Sequence, residues 1–421
     1  MATEARMDLI ILVYVLLIIA FAKAFGEVAT RFGQPAIVGE LLAGIALGPA
    51  LLGAVFDGLE PMYESQFITD LGELGMLFFM LYVGLELSPK NISKASWPAG
   101  IIAVVGLIIP AVLGVVVGIV FGLSGLTLIF AALAMSVTAL PVTIRILKDM
   151  EVLQARTSSV IINAALVTDV ILLVVLGVIL GTDNQDDGAE TALYMTVSIV
   201  LFFVLAFLIG RYIVPHLYQV LRWMRTGEAA FAIAIGLAIT LAVAAEWAGL
   251  PGVIGAFVAG MLLREAGTGL RVWARVEEIL SGVTLGFLAP IFFVFIGFSV
   301  NFSSVANNLA FFGAILAVAI AGKMVGTYIP SRIGGLRHNE SVAVGAMMMG
   351  KGAMELVFAQ IALDQGLIDE TLFSLLVLMA FVSTFLAPIL FKRFYNKAVL
   401  KGEILPSKST VDGPVCDPGL S

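Results

Sequence analysis

Charge, cysteine and histidine are all scarce in this chain of 421 residues. Only 13% of the residues are charged, against 60% hydrophobic, where an ordinary soluble domain carries about 25% charged residues. That deficit excludes a soluble globular protein and makes the bilayer the solvent. The single cysteine, Cys416, lies near the C-terminus, so neither a disulfide framework nor a thiolate metal centre is available. His216 and His338 are the only histidines, which argues against a transition-metal site. No His/Ser/Asp or metal-ligand constellation interrupts the apolar runs, so a membrane-bound enzyme finds little support and no cofactor is expected. The formal charge of −7 carries no message about nucleic acid, and no nucleic-acid partner is expected. In a membrane protein the division of charge between the two sides matters more.

What is abundant is apolar sequence in lengths that match a bilayer. Runs of roughly 18 to 25 residues, separated by short charged or Gly/Pro-containing turns, mark transmembrane helices. Thirteen spans are expected, near 8–30, 35–53, 67–87, 97–122, 126–147, 157–181, 191–214, 228–248, 251–264, 282–301, 308–331, 341–363 and 371–392. Glu4, Arg6 and Asp8 replace a basic n-region, so the first run is expected to be a retained helix, not a signal peptide. Threading thirteen spans puts Lys23, Arg31, Lys90, Lys94, Arg145, Lys148, Arg156, Arg222, Arg225, Arg271, Arg275, Arg332, Arg337, Lys392, Arg393 and Lys397 on one side. Asp57, Glu60, Glu64, Asp183, Asp186, Asp187, Glu190, Asp364, Asp369 and Glu370 fall on the other. The positive-inside rule then predicts a multi-pass protein of the cell inner membrane with its N-terminus outside and its C-terminus in the cytoplasm.

Asp169 stands alone near the middle of the sixth run. A carboxylate at bilayer depth costs about 2.5 to 3.5 kcal/mol on insertion scales, so such residues usually face a protein interior or a wet pathway. An ion or proton site is the expected reason, and a structural pairing with a cation on a neighbouring helix is the plain alternative.

The chain also repeats itself. Gln34-PAIVGELLAG-Gly44 and Leu250-PGVIGAFVAG-Gly260 share their Pro, Gly and Ala-Gly spacing, and Phe79-MLYVG-Gly84 matches Phe292-FVFIG-Gly297 at nearly the same offset. Matched segments lie seven spans apart, an odd number, so the two halves are inverted, as in secondary transporters. The same offset sets Ser136-VTALP-Pro141 opposite Gly350-KGAM-Met354. Pro removes a backbone donor and paired glycines disfavour helix, so both spans are expected to unwind near mid-membrane. Unwound backbone exposes carbonyls and opposed helix ends that can ligate a cation, and Lys351 and Glu355 are suited to offset their partial charges. A mere kink at Pro141 and a local Lys351–Glu355 pair are the simpler alternatives. Lys323 lies on the order of 12 Å inside the eleventh span. It is expected to face the interior, where it would pair with Asp169 or Glu355 or hold a second exchangeable proton. Asn163 and Glu40 are explained as well by helix packing as by a pathway.

These residues together, with Leu71-GELGMLFFMLYVGLEL, Arg145-ILKDMEVLQART and Gly350-KGAMELVFAQIAL, resemble the monovalent cation:proton antiporter-2 family of sodium/proton and potassium/proton exchangers over about residues 10–395. The resemblance implies an all-α membrane protein with a sodium/proton-antiporter-like fold, inverted repeats and two crossed discontinuous helices. It implies a homodimer whose protomers carry a scaffold and dimerisation bundle (1–92, completed by 226–304) and a mobile ion-translocation core (95–182, completed by 306–396). A linker helix at 190–222 would join them, and the core would move like an elevator. One departure is Thr168, which stands where electrogenic members have a second aspartate, so stoichiometry does not carry over. The other is the stretch 400–421, rich in Ser, Pro, Asp and Gly, which is expected to be a disordered cytoplasmic tail where potassium-efflux relatives continue into a nucleotide-binding domain.

The expected function is therefore exchange of Na+ or K+ for protons by alternating access, serving pH homeostasis. Cation and proton would compete for Asp169, with Thr168, Thr138, Ser136 and broken-helix carbonyls as further oxygen ligands, and with Lys323, Lys351 and Glu355 as supporting charges. A sodium-coupled symporter of an organic anion, and an ion channel, are the alternatives. Sodium-dependent solute uptake would identify the first and ohmic currents the second.

Overall fold

The computed structural model describes residues 2–49, 51–53, 55–56, 59–63, 65–86, 97–138, 140–150, 152, 155–181, 197–198, 201–214, 216, 219, 227–267 and 271–404. The acidic stretch 183–190, Lys90 and Lys94, most of the linker and the tail beyond 404 lie outside the described residues.

The described chain is helical throughout. In order the helices are α1 Ala2–Arg31, α2 Ala36–Leu47, α3 Glu60–Tyr63, α4 Gln66–Glu86, α5 Trp97–Val120, α6 Gly125–Ala134, α7 Leu140–Asp149 and α8 Arg156–Gly181. There follow α9 Leu201–Ile213, α10 Gly227–Trp247, α11 Gly252–Gly267, α12 at 271–298, α13 Phe302–Asn307, α14 Leu309–Ile333, α15 His338–Met348, α16 Ala353–Asp364 and α17 Glu370–Leu400. Seven of them are long and apolar enough to cross a membrane, and shorter apolar helices stand beside them. Each of the thirteen expected runs meets at least one described helix. The fifth and twelfth are each broken in two, with described non-helical residues at 135–138 and 349–352.

Three boundaries differ from expectation, each for a physical reason. The tenth span begins at Arg271, because Arg271–Val283 is an amphipathic helix fused to the apolar one. Its charges read as a loop, yet they pair on the helix surface, Arg275 with Glu278 at 2.8 Å and Arg264 with Glu277 at 3.4 Å. The last helix runs on to Leu400, carrying Lys392, Arg393 and Lys397, and stops where Gly402 takes φ 63°. The second span ends at Leu47, short of the expected 53, because Gly48 precedes Pro49 and takes extended backbone (ψ 173°).

Packing follows two groups of helices. One contains α1, α2, α4, α10, α11 and α12, and the other α5 to α8 and α14 to α17. The repeated glycines explain the first group. A Cβ at Gly44 would run into the Val294 carbonyl on α12, where Gly297 faces Gly44, while a Cβ at Gly260 would run into the Leu81 carbonyl on α4, where Gly84 faces Gly260. Each half of the repeat thus supplies one glycine to a contact with the other half. Backbone carbonyls cannot retreat as side chains do, so overpacking there exceeds the usual ~1–3 kcal/mol. Gly84→Val is expected to yield aggregated protein in detergent by size-exclusion chromatography. Gly236→Ala, whose added Cβ meets no atom within 4 Å, is expected to remain monodisperse.

The other conspicuous polar contact in the first group is Lys23, which pairs with Glu40 at 3.1 Å and donates to the Leu285 carbonyl at 2.6 Å. Leu285 lies in the π-helical turn Thr284–Leu288. Lys23 thus joins α1, α2 and α12, and Glu40 serves helix packing as its partner. In the second group, Asn163 donates a long bond to Ser159 at 3.4 Å and no other among the described residues.

Candidate functional site

Both helix breaks end in carbonyls that the helix no longer satisfies, and a buried carbonyl without a donor is costly. Four side chains supply the donors. At the first break, Lys351 Nζ donates to the Ala134 carbonyl at 2.7 Å and Lys323 Nζ to the Ser136 carbonyl at 2.5 Å. At the second, Thr138 Oγ1 donates to the Met348 carbonyl at 3.0 Å, and Thr384 Oγ1 donates to the Lys351 carbonyl. The breaks are therefore laced to each other: a residue of each caps the other. Two ammonium groups sit at the C-terminal end of α6, where the helix dipole favours positive charge.

Lys323, Lys351, Glu355 and Asp169 are all fully buried. Lys351 reaches Glu355 Oε2 at 3.4 Å, so the local i, i+4 pair and the capping of the opposite break coexist. Lys323 interacts electrostatically with Asp169 and Glu355 but contacts neither carboxylate directly. Among the described residues it forms no ion pair within 4.0 Å, and it donates a hydrogen bond to the Ser136 carbonyl instead. The helix carrying Lys323 widens into a π-helical turn at Val318–Gly322 directly before it, a feature common at functional sites.

Asp169 projects from the continuous helix α8, and neither of its oxygens accepts a hydrogen bond among the described residues. A buried carboxylate without partners demands a proton or a cation. The hydroxyls expected as further ligands are already committed as donors. Thr168 Oγ1 donates to the Ala164 carbonyl at 2.9 Å, Ser136 Oγ to the Leu133 carbonyl at 2.7 Å, and Thr138 as above. With their hydrogens spent, these three oxygens keep only lone pairs to offer.

Sequence reasoning missed Thr384 and the neighbouring Ser383, both buried on α17. Two adjacent hydroxyls in an otherwise apolar run were the available signal. It also missed a cleft of about 560 Å³ between the two helix groups, lined by Glu73, Glu246 and Asp364 at the end where α10 meets α11.

Away from the breaks, Glu403 closes the basic end of α15. It accepts from the Asn339 and Glu340 backbone N–H groups at 2.7 and 3.3 Å and from Asn339 Nδ2 at 2.6 Å, while Arg337 donates to the Gly402 carbonyl at 2.9 Å. Burial alone would push the Glu403 carboxyl up, but the Asn339 and Glu340 donors, with Lys401, hold it below the usual carboxylate range. A depressed folded value means the contact stabilises above the ordinary glutamate range near ~4.3 and fades as pH falls through the folded value. Glu403→Ala is expected to cost about 0.5–1 kcal/mol, as a lost helix cap does. The deficit in thermal unfolding at neutral pH should shrink in acid.

Comparison with known proteins identifies a family and a fold. Residues 15–397 match the family described as "Sodium/hydrogen exchanger, transmembrane". The chain is 31% identical over 407 residues to the Na(+)/H(+) antiporter NhaS4 of Synechocystis, covering 92% of this chain and 97% of that one. It is 28% identical over 376 residues to the Na(+)/H(+)-K(+) antiporter GerN of Bacillus cereus, covering 89% and 94%. The sodium proton antiporter MjNhaP1 of Methanocaldococcus jannaschii shares the fold at a TM-score of 0.70 and 16% identity, over 93% of this chain and 98% of that one.

Proposed function

The chain belongs to the transmembrane sodium/hydrogen exchanger family, a family of integral multi-pass cation/proton antiporters, and from that premise we propose that it exchanges a monovalent cation for protons at Asp169 by alternating access. The observation that carries this is the Asp169 carboxylate, fully buried and without a hydrogen-bond partner among the described residues. Proton and cation are alternative ways to neutralise it. The cation is a substrate held by Asp169 with the lone pairs of Thr168, Thr138 and Ser136. An uncompensated carboxylate is too costly to move through apolar surroundings, so only the loaded site crosses and the two fluxes are coupled. The names of the relatives favour Na+, with K+ as the second candidate.

The two groups of helices support a division into scaffold and moving core, with α5 to α8 and α14 to α17 carrying the site. The basic residues Arg31, Lys392 and Arg393 mark the cytoplasmic end by the positive-inside rule. The acidic cleft of Glu73, Glu246 and Asp364 then faces outside, where it concentrates cations at the seam between the groups. A homodimer is part of the same proposal.

Flux in proteoliposomes with Li+, Na+ and K+ in turn, with and without a clamped potential, tests this. Saturable, pH-gradient-driven exchange of one of these cations is expected. Ohmic current, or sodium-driven uptake of an organic anion without proton exchange, would overturn it. Lys323 enters the proton count only if it gives up its proton during turnover. Its bond to the Ser136 carbonyl makes it a fixed cap, so Lys323→Gln is expected to slow exchange without changing its response to voltage.

A further inference from the structure

At the basic end of the molecule a second cleft, of about 530 Å³, opens between the two helix groups. Its walls are the α1–α2 turn, the end of α7 and the outer part of α17. Lys392 and Arg393 line it and are exposed, and neither makes an ion pair among the described residues. Gln34 lines it too, 8% exposed, and its Oε1 accepts no hydrogen bond among the described residues. The rim is apolar: Phe32 is 79% exposed and Ile389 47% exposed, with buried Ile146 behind them.

This cleft has the wrong charge for a cation entrance. Two free cationic side chains ask for an anion, and the buried Gln34 Oε1 asks for a hydroxyl or N–H donor. Exposed apolar side chains beside both ask for hydrocarbon. A membrane lipid whose headgroup joins a phosphate to a hydroxyl meets all three demands at once. Basic pockets between transmembrane helices at the cytoplasmic surface are suited to such headgroups.

We propose that this cleft binds an anionic, hydroxyl-bearing phospholipid such as phosphatidylglycerol. The phosphate lies against Lys392 and Arg393, the headgroup hydroxyl donates to Gln34 Oε1, and the acyl chains pass over Phe32 and Ile389. The lipid would touch both the α1–α2 turn of one helix group and α7 and α17 of the other. It would therefore act on the relative movement of the two groups, and this consequence rests on the alternating-access proposal. The binding itself does not.

The test is native mass spectrometry of the full chain released from detergent, titrated with phosphatidylglycerol, phosphatidylcholine or soluble glycerol phosphate. Phosphatidylglycerol is expected to bind in preference to phosphatidylcholine. The double variant Lys392→Gln/Arg393→Gln should bind it about 25-fold more weakly, at roughly fivefold per basic side chain near a membrane surface. Both positions are exposed, so the variant should fold, which its elution profile checks. Gln34→Leu should narrow the preference for phosphatidylglycerol over phosphatidic acid, which lacks the headgroup hydroxyl. Equal binding of phosphatidylcholine, unchanged binding by the double variant, or full competition by soluble glycerol phosphate would each overturn the assignment, the last by making the ligand a free phosphate. Because the readout is binding, its failure leaves the exchange proposal untouched.

Discussion

Replacing Asp169 with Asn is expected to reduce pH-gradient-driven cation flux in proteoliposomes by roughly a hundredfold or more while leaving the fold intact. The amide keeps the shape of the side chain but neither exchanges a proton at neutral pH nor compensates a cation. Losing one member of a buried charge pair costs about 3–5 kcal/mol, and a dehydrated cation facing an amide is such a case. The fold is expected to tolerate the change, because Lys323 keeps its hydrogen bond to the Ser136 carbonyl and its interaction with Glu355. Neither Asp169 oxygen accepts a hydrogen bond among the described residues, and removing an ionisable group from an apolar helix relieves a cost. Thermal unfolding in detergent should therefore show a midpoint equal to or above that of the native chain. Lost flux with a lowered midpoint would instead assign Asp169 a structural role.

The second large effect concerns Lys351 and Glu355. Lys351→Gln strands the Glu355 carboxylate in a fully buried position and weakens the cap on the Ala134 carbonyl. The first loss is worth about 3–5 kcal/mol. Lys351→Gln/Glu355→Gln removes both charges and should recover most of it, leaving the smaller deficit of about 1–3 kcal/mol for a poorly satisfied carbonyl. Unfolding midpoints of the two single variants and the double variant measure this as a cycle. Recovery in the double variant supports the pair, and equal losses in single and double variants would show that Lys351 acts through the Ala134 carbonyl alone.

The repeat, the broken helices and the membrane class were legible because each rests on local chemistry. Pro141 and the Gly350–Gly352 segment interrupt helices by rules that act within a turn or two, and the matched glycines repeat at nearly the same offset. Asp169 was legible for the same reason, as one charge in an apolar run. What a side chain touches across the bundle was not. Lys323 does feel the charge of Asp169, as opposite charges suggested, but its hydrogen bond goes to the Ser136 carbonyl at a break in another helix, and the π-helical turn before it leaves no mark in the sequence. Thr384 was overlooked because a hydroxyl in a membrane helix usually bonds its own backbone, and only the fold brings the Lys351 carbonyl within reach. The fusion of Arg271–Val283 to an apolar span was hidden by charges that read as a loop. The cross-bracing of the two breaks by Lys351 and Thr138 likewise depends on helices distant in sequence.

Competition at one carboxylate is the centre of the account, and the apparent KM for sodium as a function of pH tests it most directly. If proton and cation exclude each other at Asp169, the KM should fall by about tenfold per pH unit over the range in which the proton dominates, with an unchanged maximal rate. An apparent KM that stays constant while the maximal rate follows pH would place the proton at a different group and contradict the single-site exchange.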